Sequence, residues 1–262
     1  MQPGKSQNVE TIQRMIARTV ATHPSGRNLM LIGGFRYRLL DRSARMSNDI
    51  DYHWEGDLDQ KQFDLFNLFN RVVLSEVRRL LQYDGNAAPA HGPDADSPRV
   101  RIINLAFWRE GVPRSRIEIP VEITRIIRAD PVTIRTVEGT VYATVSDADM
   151  IESKLIAILN RTILKHRDIV DVFLFQNRFT PESKQRLQDK IQTLAIPPEK
   201  LEKRISDLQT HHDYHVRAIQ TVMDTQLAAA SATQLNDAGG GEIILTFVLE
   251  ILKGCFENRE IE

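Results

Sequence analysis

Strand-like and helical segments are segregated along this chain, and that segregation constrains the fold more than any single residue does. Up to about residue 145, short apolar runs bounded by glycine and proline alternate with helical repeats; from Ser146 onward nearly every segment carries helical spacing. In the first part, Val9, Ile12, Met15, Ile16 and Val20 predict an amphipathic helix over 8–22. Residues 29–32 read as a buried strand closed by Gly33 and Gly34, with a short helix over 35–42 and a second strand over 49–54. Phe63, Phe66, Phe69, Val73, Val77 and Leu80 set a long helix over 58–81. Residues 83–98, rich in Gly, Pro, Ala and Asp, read as a loop. Strands over 99–107 and 116–124 flank a Glu110-Gly111-Val112-Pro113 turn and suggest a hairpin, and 140–145 adds a further strand.

Ser146, with Asp149 three residues on, resembles a helix-opening capping box with Asp in place of Glu. Helices are expected over 147–162, 166–177, 181–194, 198–229 (with a break left open) and 241–257, and residues 228–241 read as a small-residue linker. The expected fold class is α+β: a mixed sheet-and-helix lobe over 1–145, then an α-helical lobe over 146–262.

The formal net charge of -1 excludes a polycation, so any nucleic-acid contact must come from a local patch. Arg99, Arg101, Arg109, Arg114, Arg116, Arg125, Arg128 and Arg135 form such a cluster. Arginines there suit phosphate recognition and equally suit the guarding of exposed strand edges. Cys255 is the only cysteine, which excludes an intramolecular disulfide and a cysteine-based zinc cluster and suits a reducing cytosol. Residues 1–10 lack the apolar core of a signal peptide, and the apolar run 243–252 is too short to cross a bilayer and contains Glu250. A cytoplasmic protein without membrane contact is expected. His211 and His215 form a helical H-x-x-x-H pair that zinc could use, but with no third ligand in view a solvated or capping cluster is the plainer reading.

The segment that carries chemistry runs from Gly33-Gly34 through Arg45, Ser47, Asp49 and Asp51. On a strand, residues two apart point to one side, so Asp49 and Asp51 project together while Ile50 and Tyr52 face the other way. Two adjacent carboxylates repel unless a cation lies between them, and hard oxygen donors suit Mg2+ or Mn2+, with substrate phosphates completing the shell. A Gly-Gly turn at a strand end lets backbone N–H groups approach a phosphate, and the following helix offers its N-terminus.

This Gly-Gly, helix, Asp-x-Asp arrangement resembles the polymerase-β-type nucleotidyltransferase superfamily. Within it, Arg45-x-Ser47-x-Asp49-Ile50-Asp51 followed by an aromatic is similar to the AbiEii/AbiGii-type toxin nucleotidyltransferases. Fourteen residues separate Gly34 from Asp49, and Phe35 stands where a small or hydroxyl residue is common. The resemblance implies a polymerase-β-like first lobe, NTP as substrate and a third acid on a neighbouring strand. Glu118 and Glu122 are the two candidates. Their spacing puts both on one strand face, and Glu118 is favoured because Pro120 could bend the strand before Glu122.

A second stretch carries the same resemblance: Lys154 and Arg161 on one helix face, then Arg167-Asp168 and Asp171 at the start of the next helix. The resemblance implies nucleotide binding by Gly33, Gly34, Arg45, Ser47, Lys154, Arg161, Asp168 and Asp171. Asp168 reads equally well as a residue that pairs with Lys154 or Arg161 to join two helices. A growth-inhibiting toxin with tRNA 3′ ends as acceptor and an antitoxin partner is implied by resemblance alone. Two alternatives stand beside it: a transferase acting on protein or a small molecule, and a catalytically degenerate fold kept as a binding or regulatory module.

Overall fold

The structure is a computed structural model that describes residues 3–90, 99–112 and 115–256. The chain separates into two compact units, one of Met1–Ile126 with Pro131–Val145 and one of Ile127–Asp130 with Ser146–Glu262.

The first unit contains helices α1 (Pro3–Thr22), α2 (Gly33–Asp41), α3 (Leu58–Leu68) and α4 (Leu74–Leu81). Its strands are β1 (Met30–Ile32), β2 (Ile50–His53), β3 (Asp84–Pro89), β4 (Val100–Trp108), β5 (Ile117–Thr124), β6 (Thr133–Val137) and β7 (Thr140–Thr144). They form one mixed sheet in the order β3-β4-β5-β2-β1-β7-β6, in which β2 runs parallel to β5 and antiparallel to β1. Alternation along β5 decides which face is core: Ile117, Ile119, Val121 and Ile123 are buried, and Glu118 and Glu122 point away from them. That apolar face, continued by Leu31, Ile50, Tyr52, Ile103, Leu105 and Phe107, packs against Ile12, Ile16 and Val20 of α1 and against Leu65, Phe69, Val73 and Val77. The other face is left to carry polar chemistry.

Two local expectations are corrected, and one strand is added. The supposed loop over 83–98 begins with a strand, β3, paired antiparallel to β4; residues 91–98 lie outside the described residues. Its Asp-Gly-Asn-Ala-Ala-Pro sequence has poor strand propensity, and it forms at the sheet edge, where only one side needs a partner. The helix over 58–81 contains a π-helical turn, Phe69–Val73, between α3 and α4. Strand β6, where no element was expected, pairs with β7 as the opposite edge and takes its form from that single partner. Pro113 of the expected turn lies outside the described residues, while β4 and β5 pair antiparallel as a hairpin requires.

The second unit holds α5 (Asp147–Asn160), α6 (His166–Leu174), α7 (Pro181–Thr193), α8 (Pro198–Thr210), α9 (His212–Gln226), α10 (Ala229–Asp237) and α11 (Gly240–Phe256). The expected 198–229 helix breaks at His211, and the expected linker over 228–241 mostly folds as α10, because alanine is a strong helix former even without an apolar stripe. Ser146 accepts a hydrogen bond from the Asp149 N–H at 3.0 Å, but the Asp149 carboxylate turns elsewhere, so the reciprocal half of the box is not made. Ile244, Leu245, Val248 and Leu252 of α11 are buried. Among the described residues, no helix is long and apolar enough to cross a membrane.

Candidate active site

Asp49, Asp51 and Glu122 converge. In the parallel β2–β5 ladder Asp51 is the register partner of Glu122, and in the antiparallel β1–β2 ladder it is the partner of Ile32, the residue before Gly33. Asp49 sits just before β2, and one carboxylate oxygen from each of the three lies within 4.8 Å of the others. Like charges so close favour either proton uptake or a shared cation. An all-oxygen donor set, Asp51 and Glu122 on adjacent strands with Asp49 just ahead of β2, fits a hard divalent ion such as Mg2+ or Mn2+.

The structure therefore brings Glu122, not Glu118, beside the aspartates. Glu118 lies opposite Ala106 of β4, before the β2 pairing begins at Val121; its side chain is 66% exposed and accepts a hydrogen bond from Arg116 at 2.8 Å. Pro120 does not bend the strand away. It keeps its place opposite Asn104, just ahead of the stretch where β2 pairs.

The neighbouring motif residues hold this arrangement. Ser47 Oγ donates to Asp49 Oδ1 at 2.6 Å, and Gln13 Nε2 of α1 donates to the backbone carbonyls of Ser47 at 2.9 Å and Asp49 at 3.4 Å. Arg45 is buried, and its guanidinium donates to the Met46 carbonyl at 2.9 Å. Gly33 has φ +76, and a Cβ there would lie 1.8 Å from Asp51 Oδ2. A Cβ on Gly34 would lie 2.4 Å from Arg45 Nη2 and 2.9 Å from Ser47 Oγ. The two glycines thus have an immediate steric reason: the loop bearing Arg45 and Ser47, and Asp51 itself, pack directly against their bare α-carbons.

The other site candidates belong to the second unit, where they bind one another. Lys154 Nζ lies 2.7 Å from Asp168 Oδ1 and 3.0 Å from Asp171 Oδ2, and Arg161 also bonds Asp168. Both aspartates are buried on α6, so the cluster ties α5 to α6. A second buried network escaped sequence reading. Lys190 and Arg186 of α7 meet Asp149 and Glu152 of α5, and Arg186 also reaches Asp130. Burial works against the Asp149 charge, but bonds from Lys190 and from the Ala129 and Asp130 N–H groups hold its carboxyl below the ordinary value. The available signal was Asp149 and Glu152 on one face of α5 with Arg186 and Lys190 similarly spaced on α7.

His215 is buried and shares a 2.9 Å hydrogen bond with His166, whereas His211 is exposed and pairs with Asp207. No zinc set assembles there: among the described residues, the group with metal-ligand proximity is Asp49, Asp51 and Glu122. Several arginines of the 99–135 cluster have structural partners: Arg101 meets Asp59, Arg116 meets Glu118 and Arg125 donates to the Gly56 carbonyl; Arg114 lies outside the described residues.

The fold is that of the nucleotidyltransferases. A Helicobacter pylori protein assigned as a nucleotidyltransferase superposes with a TM-score of 0.56 at 15% identity, covering 100% of both chains. The MenT4 nucleotidyltransferase toxin of Mycobacterium tuberculosis superposes with a TM-score of 0.54 at 14% identity, covering 98% of this chain and 90% of its own. JHP933 from H. pylori gives 0.53 at 16%, covering 99% and 96%. No curated protein matches by sequence. The chain belongs to the family described as nucleotidyl transferase AbiEii toxin, Type IV toxin–antitoxin system, which matches residues 14–233. It is a nucleotidyltransferase.

Proposed function

We propose that this toxin-family enzyme transfers a nucleoside monophosphate from an NTP to an acceptor hydroxyl and releases pyrophosphate, with Asp49, Asp51 and Glu122 as the ligands of Mg2+ or Mn2+. The observation that carries this reading is the convergence of three carboxylates, one just before β2, one on β2 and one on β5. Mg2+ or Mn2+ held by these three carboxylates would supply the positive charge that offsets the triphosphate and the leaving pyrophosphate.

The chain's own residues divide the remaining work. Ser47 fixes the orientation of Asp49, and the Gly33 approach fixes Asp51. Helix α2 begins at Gly33 with no side-chain cap from Ile32, so its first N–H groups and positive end are offered to the triphosphate. Glu122, less buried than Asp49, takes the proton from the acceptor hydroxyl. Ser47 supports the Asp49 carboxylate, and Arg45 packs against Gly34 and holds the Met46 carbonyl. Lys154, Arg161, Asp168 and Asp171 hold α5 to α6.

Membership in a toxin–antitoxin family supports an antitoxin partner; the acceptor we propose is RNA, where a tRNA 3′ end would supply a free hydroxyl, in a cytoplasmic setting. Incubation with each labelled NTP, Mg2+ and total RNA tests the reading. Label entering RNA, and lost with Asp51→Ala, supports it; label entering protein or a small molecule replaces the acceptor; NTP binding with no transfer to any acceptor overturns it in favour of a binding module.

A further inference from the structure

We propose that Gln13 of α1 is a positioning residue for the reaction, setting the place of Asp49 and thereby the affinity of the carboxylate site for its divalent ion. The inference rests on the reading that Asp49, Asp51 and Glu122 hold that ion.

Gln13 breaks the pattern of its helix. The residues of α1 that enter the core, Ile12, Ile16, Ala17 and Val20, are apolar, yet Gln13 is only 1% exposed among them. A buried primary amide costs stability unless its hydrogens are used. Here they go to one place: Nε2 donates to the Ser47 carbonyl at 2.9 Å and to the Asp49 carbonyl at 3.4 Å. Both acceptors are carbonyl oxygens, which can only accept, so the amide group must present its nitrogen to them.

The geometry of what is held matters as much as the bonds. Residues 42–49 form no regular helix or extended strand, and Asp49 itself precedes β2, whose ladder with β1 begins at the Asp51 position. Asp51 and Glu122 are placed by strand register, but Asp49 has no such ladder. Its side chain is oriented by Ser47 Oγ at 2.6 Å, and Gln13 pins the backbone of both residues at once. One amide on α1 therefore fixes both the metal-facing carboxylate and the hydroxyl that aims it. Groups behind a metal ligand set its affinity because the ligand's position is what they hold.

The test compares Gln13→Met, which keeps the length and removes both donors, with wild type, using Mn2+ binding followed by electron paramagnetic resonance. A second readout is the Mg2+ dependence of nucleotidyl transfer. Gln13→Met is expected to weaken Mn2+ binding about 10-fold or more and to raise the Mg2+ concentration for half-maximal rate, with the rate at saturating Mg2+ largely restored. Ile16→Ala, on the same helix but packed in the core, is expected to lower the melting temperature without changing Mn2+ affinity. Gln13→Asn, which keeps an amide but withdraws it by one methylene, provides the same comparison if Gln13→Met does not fold; it is expected to weaken binding to a smaller extent. Wild-type Mn2+ affinity in the folded Gln13 variant, or an equal loss in Ile16→Ala, overturns the proposal. Failure of the underlying reading looks different: Asp51→Asn would then bind Mn2+ as wild type does.

Discussion

Asp51 and Glu122 face each other across the parallel β2–β5 ladder, whereas Glu118, on the same face of β5, lies beyond the reach of β2. Two glutamates four residues apart, indistinguishable by strand parity, are separated by where a neighbouring strand begins. Glu122→Gln is accordingly expected to reduce nucleotidyl transfer by about 10²-fold or more, the range for loss of an acid–base group. Glu118→Gln, which only gives up an exposed pair with Arg116, is expected to leave it unchanged. Single-turnover rates at saturating Mg2+ for the two variants decide this, and a reversed order would sink the assignment.

Gly33→Ala is expected to inactivate the enzyme. A non-glycine residue at φ +76 costs roughly 1–2 kcal/mol, and the new methyl would lie 1.8 Å from Asp51 Oδ2, so the carboxylate must move. Loss of transfer together with a lowered melting temperature is the expected pair of results. An active variant would show that Asp51 is not held as described.

Lys154→Met should act on stability before chemistry. It removes the cation that buried Asp168 and Asp171 share, leaving Asp168 its Arg161 pair, and breaking such a buried pair costs about 3–5 kcal/mol. Chemical denaturation should show that loss. A folded variant of undiminished stability whose KM for NTP rises would instead make Lys154 a phosphate ligand.

The His166–His215 contact makes the second unit acid-sensitive. Burial first, then the neighbouring His215 and Arg204, push His166 down to about 4, and burial likewise lowers His215 despite Asp207 beside it. Both rings are neutral in the folded protein near neutrality, while in the unfolded chain they take up protons near the ordinary value of about 6.5. The unfolded state therefore binds more protons, and stability falls as pH drops from about 6.5 toward 4. Melting curves across that window should show the decline, and His166→Gln should flatten it.

Much of this was legible in the sequence, for identifiable reasons. Asp49 and Asp51 announced themselves because both lie within one short stretch bounded by glycines and apolar residues. The α1 helix was visible because its burial follows a single helical stripe. What escaped depends on contacts between distant segments. The choice of Glu122 over Glu118 is made by the register of β2 against β5, which neither strand encodes alone. Strands β3 and β6 were missed because each edge strand takes its form from a partner rather than from its own propensity. Gln13 looked like an ordinary polar residue on an amphipathic helix. Its burial appears only when the loop carrying Ser47 and Asp49 is folded against it.

The pairing of β2 with β5 also has a consequence for synthesis. Its partners, Asp51 and Glu122, are 71 residues apart, and β7, the other neighbour of β1, comes later still. A ribosome that has released only the first hundred residues has delivered two aspartates and the glycine turn, but not the glutamate opposite them. Such long-range closure is slow compared with helix formation. A carboxylate site assembled in this order is complete only once Glu122 has been made, so the first hundred residues alone lack its third carboxylate.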